Sequence, residues 1–140
     1  MRFLRVTNKK DMAILTDFIN NLTEEIESFT YFNKRPFNIV LNHEFTYLLL
    51  ADNDEPVGYG HIEKEENNFW LGIVISKKHQ RKGFGISIMN KLIEDCVTSK
   101  IPRILLSVRK KNIKAFNLYD KMGFSVVRED ELNLFLEKSL

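Results

Sequence analysis

The sequence predicts an α/β fold of mixed α+β order: a mixed, mostly antiparallel sheet of six to seven strands with helices on both faces. Three observations predict it. Strand and helix periodicities alternate along the chain. Three strand patterns in succession, joined only by tight turns, occupy residues 45–75. A strand, a helix and a strand then follow one another over 69–108, the order of a parallel crossover.

Residues 2–6 alternate as a short strand. Asn8, with Asp11 three residues on, resembles a capping box, and Met12, Leu15, Phe18, Ile19 and Leu22 then recur at helical spacing. Over 23–44 the pattern weakens: Phe29, Tyr31, Phe32 and Phe37 stand among polar residues around Arg35-Pro36, and one short helix or an ordered loop is expected. A β-rich run over 45–51 ends in Asp52-Asn53-Asp54-Glu55-Pro56, and a second strand resumes over 57–64, so the two form an antiparallel hairpin. After the turn Glu66-Asn67-Asn68, residues 69–75 form an almost continuous apolar run, expected as a central strand buried on both faces. Ile86, Met89, Leu92, Ile93, Cys96 and Val97 make one helical stripe that ends before Pro102. Residues 103–108 read as a strand, 112–122 as a helix stopped by Gly123, and 124–128 and 132–137 as two closing strands. The last is expected at an edge, with backbone groups free to pair across a homodimer; a monomer fits equally.

A chain of 140 residues, 44% hydrophobic, suits one domain around one core. Its apolar runs fall far short of the ~20 residues of a membrane helix, and its first residues alternate in charge where a signal peptide would carry a basic stretch and an apolar block. A cytoplasmic protein without a membrane partner is expected. Cys96 is the single cysteine, which excludes an internal disulfide and metal sites built on several cysteines; no metal is expected. With 21 basic against 19 acidic residues, bulk attraction to nucleic acid is weak. Neither basic cluster interleaves aromatics as single-strand binders do, so no nucleic-acid partner is expected. The clusters, residues 77–82 and Arg109-Lys110-Lys111 with Lys114, each stand where a strand pattern gives way to a helix pattern, which suits a compact polyanion.

The segment Gln80-Arg81-Lys82-Gly83-Phe84-Gly85 sits directly between an apolar strand and an amphipathic helix. Glycines let the backbone curl around a ligand, and the first N–H groups of the helix lack internal partners and attract anions. A pyrophosphate is the natural guest. Dinucleotide-binding folds place their glycines at the first strand and an acidic residue at the end of the next, whereas here the next strand ends in Ser107-Val108-Arg109.

With this context, Gln80-x-x-Gly83-x-Gly85 closely resembles the pyrophosphate loop of the GNAT superfamily of acetyl-CoA-dependent N-acetyltransferases. A second block, Asn112-x-x-Ala115-Phe116-x-x-Tyr119-x-x-x-Gly123-Phe124, is similar to the family's fourth helix and its exit into the sixth strand. Lys77 stands where the family often has proline after the fourth strand, and Arg81 where it has glycine after the Arg or Gln.

The resemblance implies a splayed parallel pair at the sheet centre and acetyl-CoA as cosubstrate. It implies CoA binding by Ile73, Val74 and Ile75 through their main chain, by residues Gln80, Arg81, Lys82, Gly83, Phe84 and Gly85, and by Asn112. Tyr119 matches a tyrosine near the thioester sulfur and is expected as the general acid for the departing thiolate. A main-chain N–H near Ile75 would polarise the thioester carbonyl. The amine must lose a proton, and on the strand over 57–64 Tyr59, His61 and Glu63 share a face, so His61 or Glu63 is a candidate base. His43 and His79 are weaker candidates. Phe69 stands where some family members carry a glutamate base.

The implied reaction is transfer of an acetyl group to a primary amine of a small molecule by direct attack. Phe29, Tyr31, Phe32 and Arg35 are candidates to hold the acceptor: aromatic faces suit an amino sugar, and Arg35 or Lys34 would pair with the phosphate of a sugar nucleotide. A peptide or protein amine, a polyamine, an antibiotic amine and a non-catalytic acyl-CoA-binding module are the alternatives.

Overall fold

A computed structural model describes every residue from Met1 to Leu140. Strand β1 (Arg2–Arg5) leads into helix α1 (Lys9–Asn20). Asn8 opens that helix in an extended conformation, and its side-chain oxygen accepts the Asp11 N–H at 2.9 Å, one half of the expected capping box. The ambiguous segment resolves into three 3-10 turns, Glu24–Glu27, Tyr31–Asn33 and Phe37–Asn42, because its aromatics pack inward without helical periodicity. Strands β2 (Phe45–Leu50), β3 (Pro56–Glu65) and β4 (Asn68–Ile75) follow as an antiparallel meander. Helix α2 (Phe84–Thr98), strand β5 (Arg103–Arg109), helix α3 (Ile113–Lys121) and strands β6 (Ser125–Glu129) and β7 (Asn133–Ser139) complete the chain.

All seven strands form one sheet in the order β1-β2-β3-β4-β5-β7-β6. Only β4 and β5 are parallel, and they share a single residue pair, Trp70 with Leu105. Beyond it the two strands diverge toward the Ile75 end of β4, which is the expected splayed pair. The last strand is not an edge. β7 inserts between β5 and β6, antiparallel to both, so its N–H and C=O groups are satisfied on two sides; β1 and β6 are the free edges.

The sheet separates two apolar cores. One side holds α2 and α3, with Ile88, Met89, Leu92, Cys96 and Tyr119 packed on Val57, Ile62, Leu71 and Leu106. The other holds α1 and the 3-10 turns, with Leu15, Phe18 and Val40 against Leu48, Tyr59 and Val74. Gly60 lets α2 lie directly on β3, since a Cβ there would come 2.4 Å from Ile88 Cγ2. Two expectations change at this level. β4 is buried only in part: Leu71 packs into one core and Val74 into the other, but its other residues stay partly exposed, because the splay opens its side toward β5. The α2 stripe is rotated, with Ile88, Met89, Leu92 and Cys96 buried while Ile86 (46% exposed) and Val97 (55%) face out.

Candidate active site

The divergence of β4 from β5 opens a cleft of about 900 Å³ that runs from the glycine turn, along β4, to the aromatic 3-10 turns on the opposite face of the sheet. Trp70, Leu71, Gly72, Ile73, Val74 and Ile75 form one wall, and Ser107, Val108 and Arg109 of β5 stand across from them. A strand without a ladder partner on one side carries free N–H and C=O groups, so the wall can hydrogen-bond an extended ligand arm through its main chain.

At the mouth, Arg81 (φ 65°) and Gly83 (φ 82°) adopt left-handed backbone, which bends the chain sharply into α2. Gln80 Nε2 donates to the Ile75 carbonyl at 3.1 Å and pins this turn to the end of β4. The first N–H groups of α2 face the cleft mouth with no side-chain cap over them. A Cβ on Gly85 would meet only Leu118 and Ile75, at 3.7 and 3.8 Å, so the cradle has open space above it. Gln80, Arg81, Gly83, Phe84 and Gly85 line the cleft, whereas Lys82 does not. Lys77 and Lys78 pair with Glu24 and Glu55, each at 2.7 Å. The cations that line the cleft without an ion-pair partner are Arg35, Arg81, Arg109 and Lys114. Asn112 caps α3, accepting the Ala115 N–H at 3.3 Å, and its side-chain amide nitrogen remains for a ligand.

Tyr119 lines the cleft from α3, edge-on to Phe124. Burial pushes its hydroxyl up to about 12, so it stays protonated at neutral pH. No buried side-chain oxygen or nitrogen lacks a partner, and the Tyr119 hydroxyl bonds no protein group, so it opens to the cleft.

On the opposite face, β3 and the 3-10 turns assemble a polar network inside an aromatic shell. Tyr59, fully buried, places its hydroxyl 2.6 Å from His61 Nδ1. Tyr31 places its hydroxyl 2.6 Å from His43 Nε2, while His43 Nδ1 lies 2.8 Å from Thr46 Oγ1. Burial, reinforced by a hydrogen bond to Glu63, raises the Tyr31 hydroxyl well above its ordinary value. Burial and the charge of Arg35 lower His43 to about 4, and burial, His43 and Arg35 hold His61 well below its ordinary value, so both rings are neutral at pH 7. Ligand atoms of His43, His61 and Glu63 lie within 4.8 Å of one another, a spacing open to a metal ion, yet three of the four ring nitrogens are already engaged by hydroxyls. His61, Glu63, Tyr31, Phe29 and Arg35 all border the cleft. Phe32 does not; its ring packs on Tyr31, Phe37 and Tyr59. Among lining residues not anticipated as site residues, Glu65 and Trp70 lie toward the β3–β4 turn, whereas Glu24 and Glu25 lie near the glycine turn, where they hold Lys77.

A model of the acetyltransferase (GNAT) family matches residues 13–124. The chain belongs to the GNAT family. An uncharacterised N-acetyltransferase of Bacillus subtilis, YobR, is 37% identical over 85 residues, covering 60% of this chain and 34% of YobR. The chain thus spans about a third of that relative's length. Among solved structures, PaiA N-acetyltransferase of Thermoplasma acidophilum, in complex with coenzyme A, is 17% identical and covers 100% of both chains with a TM-score of 0.76. Spermidine N-acetyltransferase of Vibrio cholerae, in complex with CoA and spermine, is 17% identical over 99% of this chain and 94% of its own, with a TM-score of 0.80. At these identities the two structures show the shared fold. No helix of this chain is long and apolar enough to cross a membrane.

Proposed function

We propose that this protein transfers the acetyl group of acetyl-CoA to a primary amine of a small molecule by direct attack. The observation that carries the reading is one continuous cleft, which joins the left-handed glycine turn, the unpaired wall of β4 and the polar network on the far face. The turn and the N-terminus of α2 take the pyrophosphate, with the cleft-lining cations Arg81, Arg109 and Lys114 available to it. The pantetheine arm lies along Ile73, Val74 and Ile75, with Asn112 opposite. The amine nitrogen attacks the thioester carbonyl carbon, the C–S bond breaks, and Tyr119 gives its proton to the sulfur. Of the two β3 side chains able to face the acceptor, the Glu63 carboxylate takes the proton of the amine, directly or through water.

Phe29, Tyr31 and Arg35 support an acceptor of the amino-sugar class, with flat faces for the rings and polar groups for Arg35. A second reading is a linear polyamine. Glu63 and Glu65 border the cleft on β3 and favour an acceptor with more than one positive charge, and the Vibrio cholerae relative in the fold holds spermine.

Calorimetric titration of acetyl-CoA into the wild-type protein and a Gly83→Glu variant tests the donor half. Binding in the first and its loss in the second is the expected result, and no binding by the wild type at millimolar ligand would remove the reading. A panel of amino sugars, sugar nucleotides, polyamines and peptides, followed by release of free CoA thiol, then separates the acceptor classes. Binding without turnover on any of them would favour an acyl-CoA-binding module.

A further inference from the structure

We propose that His61 serves the reaction as a hydrogen-bond donor, presenting Nε2–H to the thioester carbonyl, and that it is not the base; the inference rests on the acetyl-transfer reading above. The tautomer follows from Tyr59. That residue is fully buried, and its hydroxyl has a single partner, His61 Nδ1 at 2.6 Å. If Nδ1 carried the hydrogen, the phenol proton would be left buried with no acceptor, at a cost of about 1–3 kcal/mol. Tyr59 therefore donates and Nδ1 accepts. Burial keeps the ring neutral, as do His43, with its ring centroid 4.4 Å away, and Arg35. A neutral imidazole that accepts at Nδ1 holds its one hydrogen on Nε2, and its lone pair is already used.

Position supplies the second half. His61 lies opposite Gly72 on the neighbouring strand, and a Cβ on Gly72 would fall 2.5 Å from Cε1 and 2.7 Å from Nε2 of the ring. Glycine at this point lets the imidazole lie across β4 and border the cleft. Nε2 bonds no protein group, and since no buried side-chain nitrogen is without a partner, it opens to the cleft. A ligand arm entering between β4 and β5 from the glycine turn stops where the strands join at Trp70 and Leu105. Gly72 lies just short of that stop, three residues from Ile75, or roughly 10 Å at the strand rise. The reacting carbonyl therefore comes to rest beside Nε2–H.

As the amine attacks, the carbonyl electron pair moves onto oxygen, where a fixed, partly dry N–H stabilises the developing charge. When the C–S bond breaks, the pair returns to carbon and the sulfur takes its proton elsewhere. His61 ends with the hydrogen it began with, so the amine proton needs another acceptor, consistent with Glu63.

Nitrogen-15 NMR of histidine-labelled protein reads the tautomer directly. Neutral Nε2–H is expected for His61, with the preference relaxed in Tyr59→Phe; a neutral Nδ1–H form overturns the proposal. Infrared spectra of carbonyl-13C acetyl-CoA bound to the protein need no acceptor: a lowered carbonyl stretch is expected in wild type and in His61→Gln, but not in His61→Ala. An unshifted wild-type stretch overturns the proposal too. Once an acceptor is known, His61→Gln is expected to stay within about tenfold of wild-type kcat and keep the acid limb of kcat/KM. His61→Ala is expected to lose ~10²–10³ while binding acetyl-CoA within twofold, a control that also shows the variant is folded. A His61→Gln variant as slow as His61→Ala, with the acid limb gone, would make His61 the base. If acetyl-CoA binds and no amine is acetylated, acetyl transfer fails while tautomer and carbonyl contact are still decided by the two spectra.

Discussion

Tyr119 and His43 illustrate one physical effect with two outcomes, since burial penalises the charged form of each. For Tyr119 it keeps a proton on the hydroxyl, pushed up to about 12, as the proposed acid role needs. Replacing it with phenylalanine is expected to lower kcat by about 10²-fold while leaving the acetyl-CoA dissociation constant within twofold. An unchanged kcat would remove the acid role. For His43 burial holds the ring neutral, with its pKa near 4 against an ordinary 6.5. Between these values the unfolded chain binds a proton that the folded protein does not, so stability is full above pH 6.5 and falls as pH drops toward 4. His61, lowered in the same direction, adds to the fall. Thermal melts from pH 7.5 to 4 should show a declining midpoint worth roughly 1–3 kcal/mol for His43 alone, and a His43→Gln variant should flatten the curve.

Elements set the cradle and its mounting. The turn into α2 depends on left-handed backbone at Gly83, where a β-carbon meets no atom yet still forces an unfavourable conformation. Gly83→Ala should therefore cost about 1–2 kcal/mol in acetyl-CoA binding or stability, measured by calorimetry and melting together. Gly60 works differently. Its φ is ordinary, but Ile88 Cγ2 and Leu92 Cδ1 crowd the place of a Cβ at 2.4 and 3.0 Å. Gly60→Val should push α2 off β3 and destabilise the fold by about 1–3 kcal/mol, with the α2 amides losing hydrogen-exchange protection first. No change in stability would mean that α2 has room to shift.

Over the whole molecule, the β4–β5 junction joins two halves of the sheet through a single residue pair, and the cleft lies in that seam. A cofactor bound along it would bridge both halves. Acetyl-CoA at a hundred times its dissociation constant should stabilise the protein by about 2.7 kcal/mol, read as a raised melting temperature, and Gly83→Glu should abolish the gain. At this scale β7 also takes its place between β5 and β6, which leaves β6, with Val126 and Val127 exposed, as the outer strand.

Local chemistry made much of this legible in the sequence. Apolar periodicity marks α1, α2 and the meander because each has one face toward a core, and the glycine turn is readable because only glycine takes its backbone at little cost. Gln80, Gly83, Gly85, Asn112 and Tyr119 belong to two short motifs whose family resemblance implies a common site, and all five line the cleft. Other features arise from contacts between distant segments, which carry no local signal. The order β5-β7-β6 depends on which edge the last strand meets. The splay leaves β4 half-exposed although its apolar run suggests full burial, and nothing local tells Lys82 from Arg81 or Phe32 from Tyr31. The hydroxyl–imidazole pairs draw Tyr31, His43, Tyr59 and His61 from three separate stretches of chain. The proton on His61 is decided by the burial of Tyr59, a property that exists only once the chain has folded.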